Sequence, residues 1–129
     1  MSIKETPHMF SFEKLEVWKE SKDLTVQVYK LTSAFPDEEK YGFVSQMRRS
    51  ATSVCSNIAE GCSRTSARDQ AHFYQLAYSS LMELLNQMII SFELGFSNES
   101  DLVNIRLQIE RISNKLNALR KSRLNSINN

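Results

Sequence analysis

Gln46-Met-Arg-Arg-Ser-Ala-Thr-Ser-Val-Cys-Ser-Asn-Ile-Ala-Glu-Gly61 carries two stripes side by side. Met47, Ala51, Val54 and Ile58 recur at alternating spacings of four and three, one apolar face of a helix. Gln46, Ser50, Ser53, Asn57 and Glu60 follow the same rhythm one step aside, and all are polar. The apolar stripe has to pack against other helices. The polar stripe borders it, so part of it is expected in a helix-helix seam. An unpaired polar group buried there costs about 1–3 kcal/mol, so each needs a partner. Polar residues in such a seam can set register and partner choice. The stretch reads as an interaction signature without recognisable chemistry.

The same periodicity extends outward. Before it, Val17, Ser21, Leu24, Val28 and Leu31 share a face, widened by Trp18 and Tyr29. This predicts a first helix from Ser11 or Phe12 to Phe35, stopped by Pro36. The second helix is expected from Asp37 or Tyr41 to Glu60, with Gly61 as its C-terminal cap. After a short link, Ser66 with Asp69 three residues on predicts the third helix start. Phe73, Ala77, Ser80, Leu84 and Met88 form its main face, and Gly95 caps its end. Ser97 or Asn98 opens the fourth helix, where Leu102, Ile105, Ile109, Ile112, Leu116 and Leu119 hold a heptad seam. Three glycines, two prolines and no strand-like alternation agree with an all-α chain. The expected architecture is an antiparallel up-down-up-down four-helix bundle over residues 11–121. A flexible arm (1–10) precedes it and a frayed tail (122–129) follows. At 129 residues one core forms without disulfides or metal.

The N-terminal residues are too polar for a signal peptide, and no apolar run approaches a membrane span. A cytoplasmic protein is expected, with no membrane partner and with Cys55 and Cys62 reduced. The net charge of +1 conceals an asymmetry. Residues 1–103 carry ten Lys/Arg against fourteen Asp/Glu, a net of −4, and residues 104–129 carry six against one, a net of +5.

A wider pattern joins these elements. Phe12-x-x-Leu15-x-Val17-Trp18, Phe35-Pro36 and Tyr41-Gly42 precede the central motif. Arg64-x-Ser66, Phe73, Ala77, Ser79-Ser80-Leu81-x-Glu83 and Leu94-Gly95 follow it. Over residues 12–119 the chain resembles the four-helix-bundle proteins encoded in intervening sequences of bacterial 23S ribosomal RNA genes, also labelled S23 ribosomal proteins. Ser50 stands where that pattern usually has alanine, and Cys62 where a polar residue is common. The resemblance implies a ring-like homopentamer without established enzymatic activity. Its relatives include the accessory protein of diversity-generating retroelements, which works with a reverse transcriptase and nucleic acid.

Three functional readings follow. In the first, a scaffold or adaptor binds RNA or a nucleic-acid-processing partner through Arg106, Arg111, Lys115, Arg120, Lys121 and Arg123 of the last helix. No aromatic residue interleaves them, so binding would be sequence-independent and salt-sensitive. In the second, the chain is a protein-interaction ring without nucleic-acid affinity. Its structural motif is Gln46, Arg49, Ser53, Asn57, Glu60, Gly61, Arg64 and Glu83, with Arg49 or Arg64 pairing Glu60. Surplus apolar area at Trp18, Tyr29, Phe43, Tyr74, Tyr78 and Phe92 marks an interface or a wider monomer core. The third and remotest is a hydrolase using Glu60 and Glu83 as acid and base. Glu5-Thr6-Pro7-His8 has the Glu-x-x-His spacing of di-iron bundles but falls in the N-terminal arm and has no second copy, His72 has Asp69 three residues before it, and no Gly-rich phosphate loop exists. No catalytic residue, metal site or cofactor is therefore assigned.

Overall fold

The computed structural model describes residues 7–127; the expected arm over 1–10 lies largely outside that range. Among the described residues there are four α-helices and no strand. They are α1 (Glu16–Thr32), α2 (Ser45–Ser63), α3 (Ala67–Glu93) and α4 (Glu99–Ile127).

The first helix is shorter than its periodicity suggested. Ser11–Lys14 forms a separate 3-10 turn, closed by the Phe10 N–H donating to Glu13 Oε2 at 2.7 Å. Leu15 is extended, and α1 begins after it. Past Thr32 the chain leaves the helix through turns ahead of Pro36. Asp37–Glu39 is a 3-10 turn and Lys40–Val44 a π-helical turn, interrupted by non-helical dihedrals at Gly42. That interruption delays α2 to Ser45. Ser66 Oγ accepts from the Asp69 N–H at 3.1 Å and starts α3 as expected. Asn98 Oδ1 accepts from the Asp101 N–H at 2.8 Å at the head of α4. Gly95 closes α3 with φ at +81°, a left-handed turn that side chains resist. The tail expected to fray is helical as far as Ile127.

One core runs through all four helices. Leu24 and Val28, Met47 and Ile58, Leu81 and Leu84, and Ile109 and Ile112 are fully buried in it. α2 lies against α1 and α3, and α4 closes against α3 and α1. The buried face of α3 is turned from the expected one. Ala71, Tyr74, Leu81 and Ser91 join Ala77, Leu84 and Met88, while Phe73 and Ser80 are half-buried. Phe96 packs near Phe35 and Phe43, with ring centroids 5.6 and 6.1 Å away, and seals one end. Tyr74 is buried, and Trp18, Phe43 and Tyr78 pack onto the core. Most of the surplus aromatic area is thus a wider monomer core.

Gly61 does not cap α2. The helix runs on to Ser63, and Gly61 is buried within it. A Cβ at this position would lie 2.8 Å from Tyr74 Cε1 and 3.0 Å from Phe73 Cβ. Glycine is required because α3 approaches the α2 backbone here.

Candidate functional site

The polar stripe of α2 divides between seam and surface. Ser50 is buried and donates to Gln87 Oε1 on α3 at 3.1 Å. Gln87 in turn donates to Glu83 Oε1 at 3.4 Å. Ser53 and Ser80 exchange a hydrogen bond at 2.9 Å. Asn57 donates back to the Ser53 carbonyl at 2.9 Å and to Ser53 Oγ at 3.1 Å. These links satisfy the groups that burial would otherwise penalise. Gln46, Arg49 and Glu60 are exposed. Glu60 pairs with Arg64 at 2.6 Å, not with Arg49, and the Arg64 guanidinium lies 4.6 Å from the Phe73 ring centre.

This stripe does not assemble an acid-base pair. Glu60 lies one residue before Gly61, which meets Tyr74, whereas Glu83 lies nine residues further along α3. At 1.5 Å per residue that offset is about 13 Å, beyond the reach of one reacting group. Burial pushes both the Cys55 and the Cys62 thiols up, so neither is poised as a thiolate. Among the described residues no group of three or more His, Cys, Asp or Glu side chains could hold a metal ion.

The α4 cations do not converge. Lys115 donates to Glu16 Oε1 at 2.8 Å and to Glu20 Oε1 at 2.9 Å, tying α4 to α1. Arg123 donates to Gln70 Oε1 at 3.3 Å, reaching the start of α3. Arg111 borders a cleft with Glu20 and Asp23. Arg106 lies on the opposite flank, beside Glu110. Lys121 is exposed and Arg120 half-buried. The helix is basic in sequence, yet its charges point to different neighbours.

The Lys115 cluster has a defined pH response. Its hydrogen bond and then its charge hold the Glu16 carboxyl below the ordinary 4.5. Hydrogen bonds to Glu16 and then Glu20 raise Lys115 above 10.5. The depressed carboxylate stabilises the fold above pH 4.5, and that contribution is lost as pH falls through its folded value. The raised ammonium stabilises the fold below pH 10.5, and that contribution is lost as pH rises through its folded value. Lys115→Ala is therefore expected to melt below wild type at neutral pH and to converge with it in acid. Thermal unfolding on both sides of pH 4.5 checks this; a gap that stays constant into acid would assign the effect to lost packing.

Two surface features escape the sequence patterns. A groove of about 410 Å³ between α3 and α4 is lined by Tyr78, Met82 and Leu85 on one side and Val103 and Leu107 on the other. Val103 is 49% and Leu107 52% exposed. Their four-residue spacing, off the heptad seam, was the available signal. A cleft of about 690 Å³ between α1 and α2 is lined by Tyr29, Lys40, Tyr41, Arg48 and Arg49, among others. Tyr29, the pair Lys40 and Tyr41, and the pair Arg48 and Arg49 belong to three separate elements, so no single periodicity groups them.

Residues 13–118 match the family described as 23S rRNA-intervening sequence protein. The chain is similar to the crystal structure of a protein of unknown function from the S23 ribosomal protein family of Bacteroides thetaiotaomicron VPI-5482. The two are 19% identical, with a TM-score of 0.73 over 81% of this chain and 98% of that one. Among curated proteins none matches.

Proposed function

This chain belongs to the 23S rRNA-intervening sequence protein family, and from that premise we propose that it is a non-enzymatic, self-assembling helical scaffold. Its helices form an antiparallel up-down-up-down bundle. Falling contact registers support this: Thr25 with Ala51 and Thr32 with Arg48, Ser50 with Gln87 and Ser53 with Ser80. Glu16 with Lys115 and Gln27 with Gln108 repeat the pattern. On the family resemblance this chain assembles into a ring-like homopentamer, and the scaffold works in the cytoplasm.

The observation that carries self-assembly is the α3–α4 groove. Val103 and Leu107 stand one turn apart on α4, half-exposed, beside the apolar flank of Tyr78, Met82 and Leu85. These apolar side chains, in a groove that Arg106, Glu110 and Ser113 also line, are stabilised by being covered. Val103→Asp with Leu107→Asp places two charges where a partner would exclude water. The pair is expected to reduce the particle to a monomer while helicity is retained. Light scattering with circular dichroism reads both. A wild-type chain that is already monomeric, or a double variant with wild-type mass, would sink the reading.

A second reading keeps RNA or a nucleic-acid-processing protein as partner of α4. It is favoured by Arg106, Arg111 and Lys121, which are exposed and make no ion pair among the described residues. Because Lys115 supports the fold, the clean charge reversal is Arg111→Glu with Lys121→Glu. RNA affinity unchanged by that pair would remove α4 from the contact.

A further inference from the structure

We propose that the α1–α2 cleft is a binding site for single-stranded nucleic acid, with Tyr41 and Tyr29 as stacking surfaces and Arg49 and Lys40 as phosphate contacts. It lies on a different face from the assembly groove and does not depend on it.

The cleft combines the two features that the α4 face lacks together. The first is aromatic area in solvent. Tyr41 is 86% exposed, the highest value among the exposed large apolar and aromatic side chains, and Tyr29 is 44% exposed. The Tyr41 ring is not buried in the core; its neighbour is the Lys40 ammonium, 5.6 Å from the ring centre, and every base has a π-face that can stack on a ring so exposed. The π-helical turn at Lys40–Val44 brings Tyr41 to the cleft that Tyr29 of α1 also lines.

The second feature is charge of one sign. Three cations line the cleft and no carboxylate does; Asp37, Glu38 and Glu39 occupy the preceding turn. The cations divide into two roles. Arg48 is structural: its Nε donates to Thr32 Oγ1 at 2.9 Å and its Nη2 to the Tyr29 carbonyl at 3.1 Å. Its guanidinium lies 4.6 Å from the Tyr29 ring centre. That clamp braces the end of α1 and holds Tyr29 as a rigid plate. Arg49 and Lys40 make no ion pair among the described residues and are exposed. They remain available to a phosphodiester. Hydroxyls of Ser45 and Ser56 also line the cleft as neutral donors suited to phosphate or sugar oxygens, whereas Thr52 donates to the Arg48 carbonyl at 2.7 Å. A duplex buries its base faces, so the tyrosines would have nothing to stack on; the proposal is therefore specific to single strands.

The test is fluorescence anisotropy of a labelled oligouridylate of about ten nucleotides with the full chain across a salt series. Binding that weakens with salt is expected. Tyr41→Ala should lower affinity about 5- to 150-fold, the loss of one stacked base. Arg49→Gln should reduce the salt slope by about 0.7 per phosphate contact. Both side chains are exposed, so circular dichroism should show an intact fold. Arg111→Glu with Lys121→Glu on α4 should leave this affinity within about twofold. No binding at low salt would overturn the proposal, as would wild-type affinity in both cleft variants. Equal affinity for a duplex would also overturn it. So would a change of particle mass in Tyr41→Ala, which would make the cleft an interface between copies. Full competition by uridine monophosphate at matching concentration would replace the strand with a free nucleotide and overturn it too.

Discussion

Leu84→Ala is expected to lower the unfolding free energy by about 2–5 kcal/mol, among the largest losses any single truncation in this chain should produce. Leu84 is wholly buried in the middle of α3, in the core that includes residues of all four helices. Removing its branched end forfeits transfer free energy and leaves a cavity that rigid helices close only in part. Total stability for a domain of this size is about 5–15 kcal/mol, so the variant loses a large share of it. The melting temperature should fall by roughly 3–5 °C for each kcal/mol. Ile90→Ala, on the same helix but 39% exposed, should cost under about 1 kcal/mol. Urea unfolding of both variants reads the contrast. Similar losses at the two positions would mean that Ile90 is covered in the folded particle, as a partner on the outer face of α3 would cover it.

Gly61→Val should lose about 3 kcal/mol, at the upper end of the usual overpacking range. Two effects oppose each other at this position. Replacing a helical glycine by alanine gains up to about 1 kcal/mol from propensity. Against it stands the 2.8 Å approach of Tyr74 Cε1, which requires movement of a ring that is 2% exposed. Phe73 Cβ, at 3.0 Å, is fixed to the α3 backbone and cannot rotate away. Gly61→Ala should therefore be destabilising despite its better propensity, and Gly61→Val more so, since it adds two methyl groups and regains less propensity. Equilibrium unfolding in urea with an unchanged m-value checks both. A stabilising Gly61→Ala would show that α2 and α3 part easily at this end.

Among the sequence-derived expectations, the periodic ones fared best. The four apolar residues of α2 are all buried, as are Ile105, Ile109, Ile112 and Leu116 of α4. A helical stripe is a local repeat: any helix that buries one member turns the others the same way. Ser66 and Asn98 were legible for a related reason, because a cap needs only its own next three residues. Gly61 illustrates the opposite case. Glycine near a helix end reads as a cap, and only the approach of α3 turns it into a contact point. The site expectations divide in the same way. Arg64 and Glu60 pair four residues apart on one helix end, within reach of local reasoning. Lys115 is counted as a free cation until α1 sets Glu16 and Glu20 beside it.

The sequence by itself determined the four helices, most of their buried faces and several of their caps, because each depends on residues within a turn or two of one another. The tertiary structure alone decided which members of the polar stripe are paired, which α4 charges are free, why position 61 is glycine, and that Tyr29 and Tyr41 share a cleft with Arg48 and Arg49. Those outcomes depend on how helices are rotated and staggered against each other. Rotation and stagger are set by core packing summed over the whole chain, and that sum is not written in any one stretch.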